Sequence, residues 1–527
     1  MATGNTCLQT VTQQQVKDLF AFVLRYKNII NARAVNFFTD DHWEKVINKT
    51  WQDSLLSMED PNDFIFPKSS GLNGSLEEFL YTAKQLRLPV TSGQCHRKMA
   101  AAFGMNPKKA HEVEEASQLI STLAVKHGLK QVLDLGSGKG YLSEHLALKY
   151  GLAVVGVDSQ SSNTHGAQCR NMKVCKVWQS ISKQDRQITH MLASDGPVTQ
   201  AAGHCKDPEE SKLDPVLDEK LHVQENKINI VQSEMSVPAS FDCSFASYTL
   251  DQEGAREHSY FPLTMTVDVS SASELLPFVE RHSSGHFQQS QPCMIVGLHT
   301  CGDLAVNILR LFCDISAIKA VCVVGCCYNH CTENEDCTDG SKPGFPVSTH
   351  LRSIGAHLGR TARLLAGQNL YKFSDATKDI AMESLFFRAL LQLILRDKFG
   401  ATDLTNSSKD YCVSKLKYSR GDFCSYVKQA LIKLKLDASK ITNEEIHLLH
   451  AEHYMEMVYL QKFVQLQGAL SPCIESLIIL DRLLFIQENV QRMQMYFNYL
   501  MLELLQDVLL LLDISDVCFF AVLEIIC

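Results

Sequence analysis

Ten residues at 131–140, Gln-Val-Leu-Asp-Leu-Gly-Ser-Gly-Lys-Gly, and an acid, Asp158, after a second apolar run carry the densest chemistry in this 527-residue chain. Val132 to Leu135 read as a short buried strand. Gly136, Gly138 and Gly140 let the backbone turn tightly, and Tyr141 to Tyr150 opens a helix whose N-terminus faces whatever the loop binds. Such loops serve nicotinamide and flavin dinucleotides as well as S-adenosylmethionine, so glycines alone do not choose between them. Three details favour the methyl donor: the spacing is Gly-x-Gly-x-Gly, Asp134 sits inside the strand end, and Asp158 ends the next strand. Asp158 can take both ribose hydroxyls, and Asp134 can meet the donor's sulfonium and ammonium. The expected donor site is therefore Asp134, Gly136, Ser137, Gly138, Gly140 and Asp158, against the alternative of an ordinary tight turn without a ligand.

These residues need a scaffold. A helix at 111–128, with Val113, Ala116, Ile120 and Leu123 on one face, leads into the first strand, and Gly151 sits where a left-handed cap is wanted before a strand at 152–157. Strand, loop, helix, strand is a βαβ unit, which demands a right-handed crossover and a mostly parallel sheet. The pattern resumes with strands at 293–298 and 320–325 around a helix at 303–312. Between them, 181–291 reads as an insertion whose polar centre, 207–226, has too little apolar content for a core, although 260–267 can supply one strand.

The expected class is α/β, a doubly wound sheet with helical extensions at both ends. Residues 1–110 form an N-terminal helical region, with apolar spacing over 12–57 and a capping box at Ser75 and Glu78 that opens a helix ending before Pro89. The core spans 111–395, a helical extension 396–490, and an apolar tail 491–527.

In doubly wound sheets ligands sit beyond the carboxyl ends of the strands, so the residues after 298 and 325 should face the reacting centre. His299 can act as a base, because an imidazole titrates near neutrality; the alternative is a histidine that only bonds a neighbouring loop. Cys326 and Tyr328 complete the candidate catalytic set. Cys326, Cys327, His330, Cys331 and Cys337 also suggest a metal, but adjacent cysteines alternate in direction on a strand and no second Cys-x-x-Cys pair completes a tetrahedral set. No metal site is expected.

A net charge of −9 gives no global attraction for nucleic acid. Any RNA would be met locally by Lys84, Arg87, Arg97, Lys98, Lys108 and Lys109, a stretch with no acidic residue; a solvated helix and loop is the plainer alternative. The N-terminus shows no apolar leader, so the 19 cysteines read as reduced thiols of cytosol or nucleus. The apolar C-terminal run is broken by Glu503, Asp507, Asp513, Asp516 and Glu524 too often to span a membrane.

The motif Asp-Leu-Gly-Ser-Gly-Lys-Gly-Tyr-Leu-Ser at 134–143 resembles that of class I Rossmann-fold methyltransferases. Met-Asn-Pro-Lys-Lys-Ala-His-Glu-Val at 105–113, Gly-Leu-His-Thr-Cys-Gly-Asp-Leu-Ala at 297–305, Gly-Cys-Cys-Tyr at 325–328 and Gly-Phe-Pro at 344–346 narrow the resemblance to the methyltransferase-like protein 25 family. It covers roughly 10–485 and implies an S-adenosylmethionine-dependent methyltransferase, without naming an acceptor. The His-x-Cys-Gly and Cys-Cys elements also resemble those of a tRNA 2′-O-methyltransferase, which places RNA ahead of protein as the expected acceptor. After Leu484 the family runs into a Pro-rich stretch and a closing strand, whereas 491–527 shows neither; it reads as an alternative end that leaves a sheet edge unpaired. The rival function is a non-catalytic adaptor or sensor that retains the donor pocket.

Overall fold

Eight strands make one sheet in the computed structural model, which describes residues 2–64, 74–88, 90–92, 105, 107–174, 260–267, 272–337, 342–368, 378–400, 413, 416, 418, 420–489, 511–513 and 520–526. They are β1 (Val90–Ser92), β2 (Gln131–Leu135), β3 (Ala153–Asp158), β4 (Phe261–Thr264), β5 (Cys293–Cys301), β6 (Ile318–Cys326), β7 (Leu511–Asp513) and β8 (Phe520–Ile526). Their order is β1-β7-β8-β6-β5-β2-β3-β4. All neighbours are parallel except those of β8, which runs antiparallel to β6 and β7. The central strands are mostly apolar, as parallel strands covered on both faces are, and every residue of β2 is buried, Gln131 and Asp134 included. The strand order reverses between β2 and β5, so the glycine loop after β2 opens at the switch point where α/β sheets bind ligands.

The helices are α1 (Ala2–Arg25), α2 (Lys27–Asn31), α3 (His42–Val46), α4 (Lys49–Ser57) and α5 (Gly74–Leu86) before the sheet; α6 (Pro107–Lys126), α7 (Tyr141–Tyr150), α8 (161–174), α9 (Ala272–His282) and α10 (Leu304–Asp314) among its strands; then α11 (Thr349–Ser353), α12 (Arg360–Ala366), α13 (Lys378–Phe399), α14 (Phe423–Lys433), α15 (Asn443–His453) and α16 (Met457–Asn489). Gly151 caps α7 in the left-handed conformation, φ 66°, its N–H bonding Ala147 and Leu146 carbonyls.

Two sequence expectations are corrected here. The stretch set aside as an insertion up to 291 ends earlier. Phe261–Thr264 pair in parallel with Val155–Asp158, and α9 buries Leu275, Leu276 and Val279. The strand lies within 260–267, where one was expected, and α9 is what that expectation left out. Residues 175–259 lie outside those described. The second correction concerns the C-terminal tail, where β8 pairs Ala521–Ile526 with Gly325–Ala320 of β6 and β7 pairs with β1, so the sheet edge beside β6 is covered. Strands of three and seven residues take their stability from neighbours, not from a local period.

One helix organises the helical ends. Nearly every residue of α16 from Leu460 to Gln487 is buried, polar ones included, and several of those polar groups fix other segments. Gln467 donates to the Ile29 and Ala32 carbonyls at 2.8 and 2.7 Å, the Ser476 hydroxyl accepts from Leu88 N at 2.9 Å, and Lys462 donates to the Met58 carbonyl. Asp481 accepts from Val347 N at 2.7 Å and Ser348 N at 2.9 Å. The N-terminal region and the C-terminal extension thus belong to one compact unit with the sheet, Met1–Cys175 and Arg256–Cys527.

Replacing Asp481 with Ala strands two buried N–H donors, so unfolding free energy should fall by about 2–4 kcal/mol. Denaturant melts of Asp481→Ala beside wild type measure this, and an unchanged midpoint would show that α16 does not anchor the 347–348 turn.

Candidate active site

The loop after β2 is built before any ligand arrives. Gly136 N and Ser137 N both donate to the Val157 carbonyl, at 2.8 and 3.0 Å, and Gly138 N donates to Asp158 Oδ2 at 3.0 Å. Gly136, Gly138 and Gly140 have φ of 77°, 55° and 70°, conformations that side chains disfavour. At two of the three, Gly136 and Gly140, space excludes a side chain as well. A Cβ on Gly136 would stand 2.8 Å from Leu304 Cδ2, and one on Gly140 2.0 Å from the Tyr260 hydroxyl oxygen.

Beneath the loop lies a cavity of about 300 Å³ lined by Lys109, Asp134, Gly136–Gly138, Tyr141, Asn163 and His299, among others. Asp134 is fully buried, and Ser143 Oγ donates to its Oδ2 at 2.6 Å. Burial raises its carboxyl to about 6, against the Ser143 bond and the Lys109 charge, which favour the ionised form. Asp158 is half-buried at the end of β3, outside the lining; besides Gly138 N, it accepts from Gln160 N at 2.9 Å and Asn163 Nδ2 at 3.1 Å.

His299 reaches the cavity through a break in β5. The pairing of β5 with β6 shifts register between Leu298 and Thr300, and His299 adopts φ 63°; bulges of this kind re-aim side chains beside active sites. Its Nε2 lies 2.9 Å from Glu112 Oε2. Glu112 is buried on α6 and also stands 3.9 Å from Lys109 Nζ. A carboxylate only accepts, so Nε2 carries the proton of this bond and Nδ1 is left as an acceptor.

The other candidates are placed differently. Tyr328, expected beside the acceptor, is wholly buried; its hydroxyl donates to Glu475 of α16 at 2.8 Å and the Arg482 guanidinium lies over its ring. It tethers the post-β6 turn and lines no part of the cavity. Cys326 pairs in register with Cys301 across β5 and β6, the sulfurs 3.4 Å apart, and Cys327 Sγ joins them, all three within 4.8 Å of one another. Sharing one proton splits the first two: hydrogen bonding from Cys326 lowers the Cys301 thiol to about 6, and the same bond raises Cys326. Of the basic segment, Lys109 is drawn into the cavity lining, Lys84 lies on α5 with Arg87 after it, and the side chains of Arg97, Lys98 and Lys108 lie outside those described.

Sequence reasoning missed Glu112, Ser143, Asn163 and Tyr260. One clue was available: Lys109, Glu112 and Val113 stand at helical i, i+3, i+4 spacing, which puts them on one face of α6.

Asp134 is ionised more easily unfolded, at an ordinary 3.8, than folded, at about 6. Its contribution to stability is full below pH 3.8 and lost as pH rises through 6, a swing of about 3 kcal/mol. Asp134→Asn should therefore melt higher than wild type at pH 8 and no higher at pH 4; an equal difference at both pH values would refute the buried-carboxylate account.

The relatives agree with the geometry. A methyltransferase-domain family model matches residues 108–334, the segment that carries the loop, Glu112 and both cysteine-bearing strand ends. A human protein named "Probable methyltransferase-like protein 25" is 33% identical, over 90% of this chain and 92% of its own length. The mouse protein of the same name is 30% identical over the same shares. No solved structure matches. Among the described residues, no helix is long and apolar enough to cross a membrane. Identity at this level along nine-tenths of both chains, with the glycine-loop sheet between its helical ends, makes this chain a methyltransferase of the methyltransferase-like protein 25 family.

Proposed function

We propose that the chain transfers a methyl group from S-adenosylmethionine to a nucleophile on RNA or, second, on protein, in the cytosol or nucleus. The observation that carries this reading is that the glycine loop, the buried Asp134 and the Glu112-held His299 meet at one cavity. The residues fit the donor: Gly136 and Gly138 leave backbone where a side chain would block approach, and Asp134 in its ionised form opposes positive charge. The bound donor would supply a methyl carbon on a sulfonium, with a neutral thioether as leaving group.

Asp158 has about four lone-pair positions and spends three on Gly138, Gln160 and Asn163. It can accept one ribose hydroxyl without rearrangement; a two-hydroxyl grip requires Asn163 to let go. His299 takes the acceptor's proton at Nδ1 while Glu112 fixes the ring and stabilises the imidazolium. Orientation does most of the work in such a transfer, since well-aligned reactants recover up to ~7–11 kcal/mol of the barrier.

A cationic donor binds ionised Asp134, so its affinity should rise with pH through about 6 and level off above. Calorimetry from pH 5 to 8 on wild type and Asp134→Asn reads this. A flat wild-type profile removes Asp134 from donor recognition, and no binding at any pH removes the donor reading altogether.

Transfer itself is tested with labelled donor and lysate from cells lacking the protein. Label should enter an RNase-sensitive or a protease-sensitive fraction, and His299→Asn should lower its rate ~100-fold or more while donor affinity changes less than about threefold. Donor binding without any transfer would favour the sensor.

A further inference from the structure

The cysteine triad at the ends of β5 and β6 is left unused by the donor cavity: Cys301, Cys326 and Cys327 are absent from its lining. We propose that these three thiols hold a soft divalent cation of the zinc type, with a fourth position open to water or an incoming ligand.

Geometry argues for it first. All three Sγ atoms lie within 4.8 Å of one another, the Cys301 and Cys326 sulfurs 3.4 Å apart. Thiolates bound tetrahedrally at about 2.3 Å from zinc stand ~3.8 Å from each other, a spacing that this triad brackets. A single ion can therefore be reached by all three with small side-chain rotations.

The second argument is how the third sulfur gets there. Two adjacent residues in a strand point to opposite faces, which is the reason the sequence suggests no metal site at Cys326-Cys327. The strand, however, ends at Cys326, and Cys327 turns into the left-handed region at φ 45°. For a residue with a Cβ this conformation is strained, and such strain collects at functional sites. The turn is held by its surroundings: His330 N donates to the Cys327 carbonyl at 2.9 Å, and Tyr328, the next residue, is locked to Glu475. The backbone is thus clamped in a conformation that swings a second sulfur to the side where the first already stands.

Ligand type then selects the ion. Three sulfurs and no carboxylate in the cluster suit zinc and its soft neighbours over magnesium or calcium. Cys301 and Cys327 are exposed, so the site is not sealed as a purely structural zinc site is. Three protein ligands plus an accessible fourth position is the pattern of sites that exchange a ligand. On binding, each thiol gives its proton to solvent and the cation takes the three thiolates. The assignment does not depend on the donor chemistry.

Cobalt(II) serves as a visible probe on the full-length chain, purified anaerobically with reductant. One equivalent should produce the sulfur-to-cobalt charge-transfer band and tetrahedral d–d bands, and zinc should bleach both. Cys301→Ser, Cys326→Ser and Cys327→Ser should each remove about a third of the charge-transfer intensity, and the triple variant all of it, with melting curves verifying that each variant folds. In wild type, zinc should also shield these three cysteines from alkylation, read by peptide mass spectrometry, while Cys424 remains reactive. Full cobalt–thiolate intensity in the triple variant would overturn the assignment, as would metal-free protein in which Cys301 and Cys326 are joined by a disulfide under the same anaerobic handling.

Discussion

The burial of α16 from Leu460 to Gln487 is the constraint on which the rest of the molecule depends. A helix covered on every face satisfies its own backbone but leaves each polar side chain to find a partner in a medium where an unmade bond costs about 1–3 kcal/mol. Gln467, Ser476, Lys462, Asp481 and Glu475 meet that demand by binding backbone and side chains from distant parts of the chain: the α2 end, Leu88 beyond α5, the Met58 turn, the 347–348 turn and Tyr328. The helix is therefore a core element and a set of fixed addresses at once. What it fixes includes the loop that follows β6, at the carboxyl end of the sheet.

A second economy appears at the cavity, where one buried acid joins two elements. Glu112 comes from α6, whose N-terminal turn also brings Lys109, and it meets His299 at the end of β5. Desolvation sharpens these interactions because the local dielectric is low. The same desolvation raises Asp134 toward neutrality and leaves it responsive to an incoming positive charge. Stability is given up at Asp134 at neutral pH in return for a site whose electrostatics are set before a ligand arrives.

Strain is concentrated in the same region. His299 and Cys327 are non-glycine residues with positive φ at the carboxyl ends of the two adjacent strands β5 and β6. Each departs from strand geometry at the point where its side chain must leave the sheet face. The register shift at Leu298 and Thr300 accomplishes the first departure, and the end of β6 the second. Neighbours hold both: Glu112 from α6 in one case, Tyr328 and its partner on α16 in the other.

The glycine loop was legible in the sequence because it is local. A loop of three glycines between an apolar strand and a helix has its conformation, its bounds and its acid all within 28 residues of Gln131, and α7 starts and stops where glycine requires. The ends of β5 and β6 were legible only as a list of residues. Whether Tyr328 faced the cavity or α16, whether Cys326 and Cys327 diverged or converged, and whether Lys109 served a phosphate or Glu112 depended on a bulge, a strained turn and a helix 147 residues away from Tyr328. The C-terminal edge was hidden for the same reason: β8 is a strand because β6 presents backbone to it, and the three-residue β7 because β1 and β8 do. Short-range periodicity and turn chemistry are encoded residue by residue, whereas pairing and burial are properties of the whole chain, and here the placement of His299, Cys326 and Tyr328 belongs to the second kind.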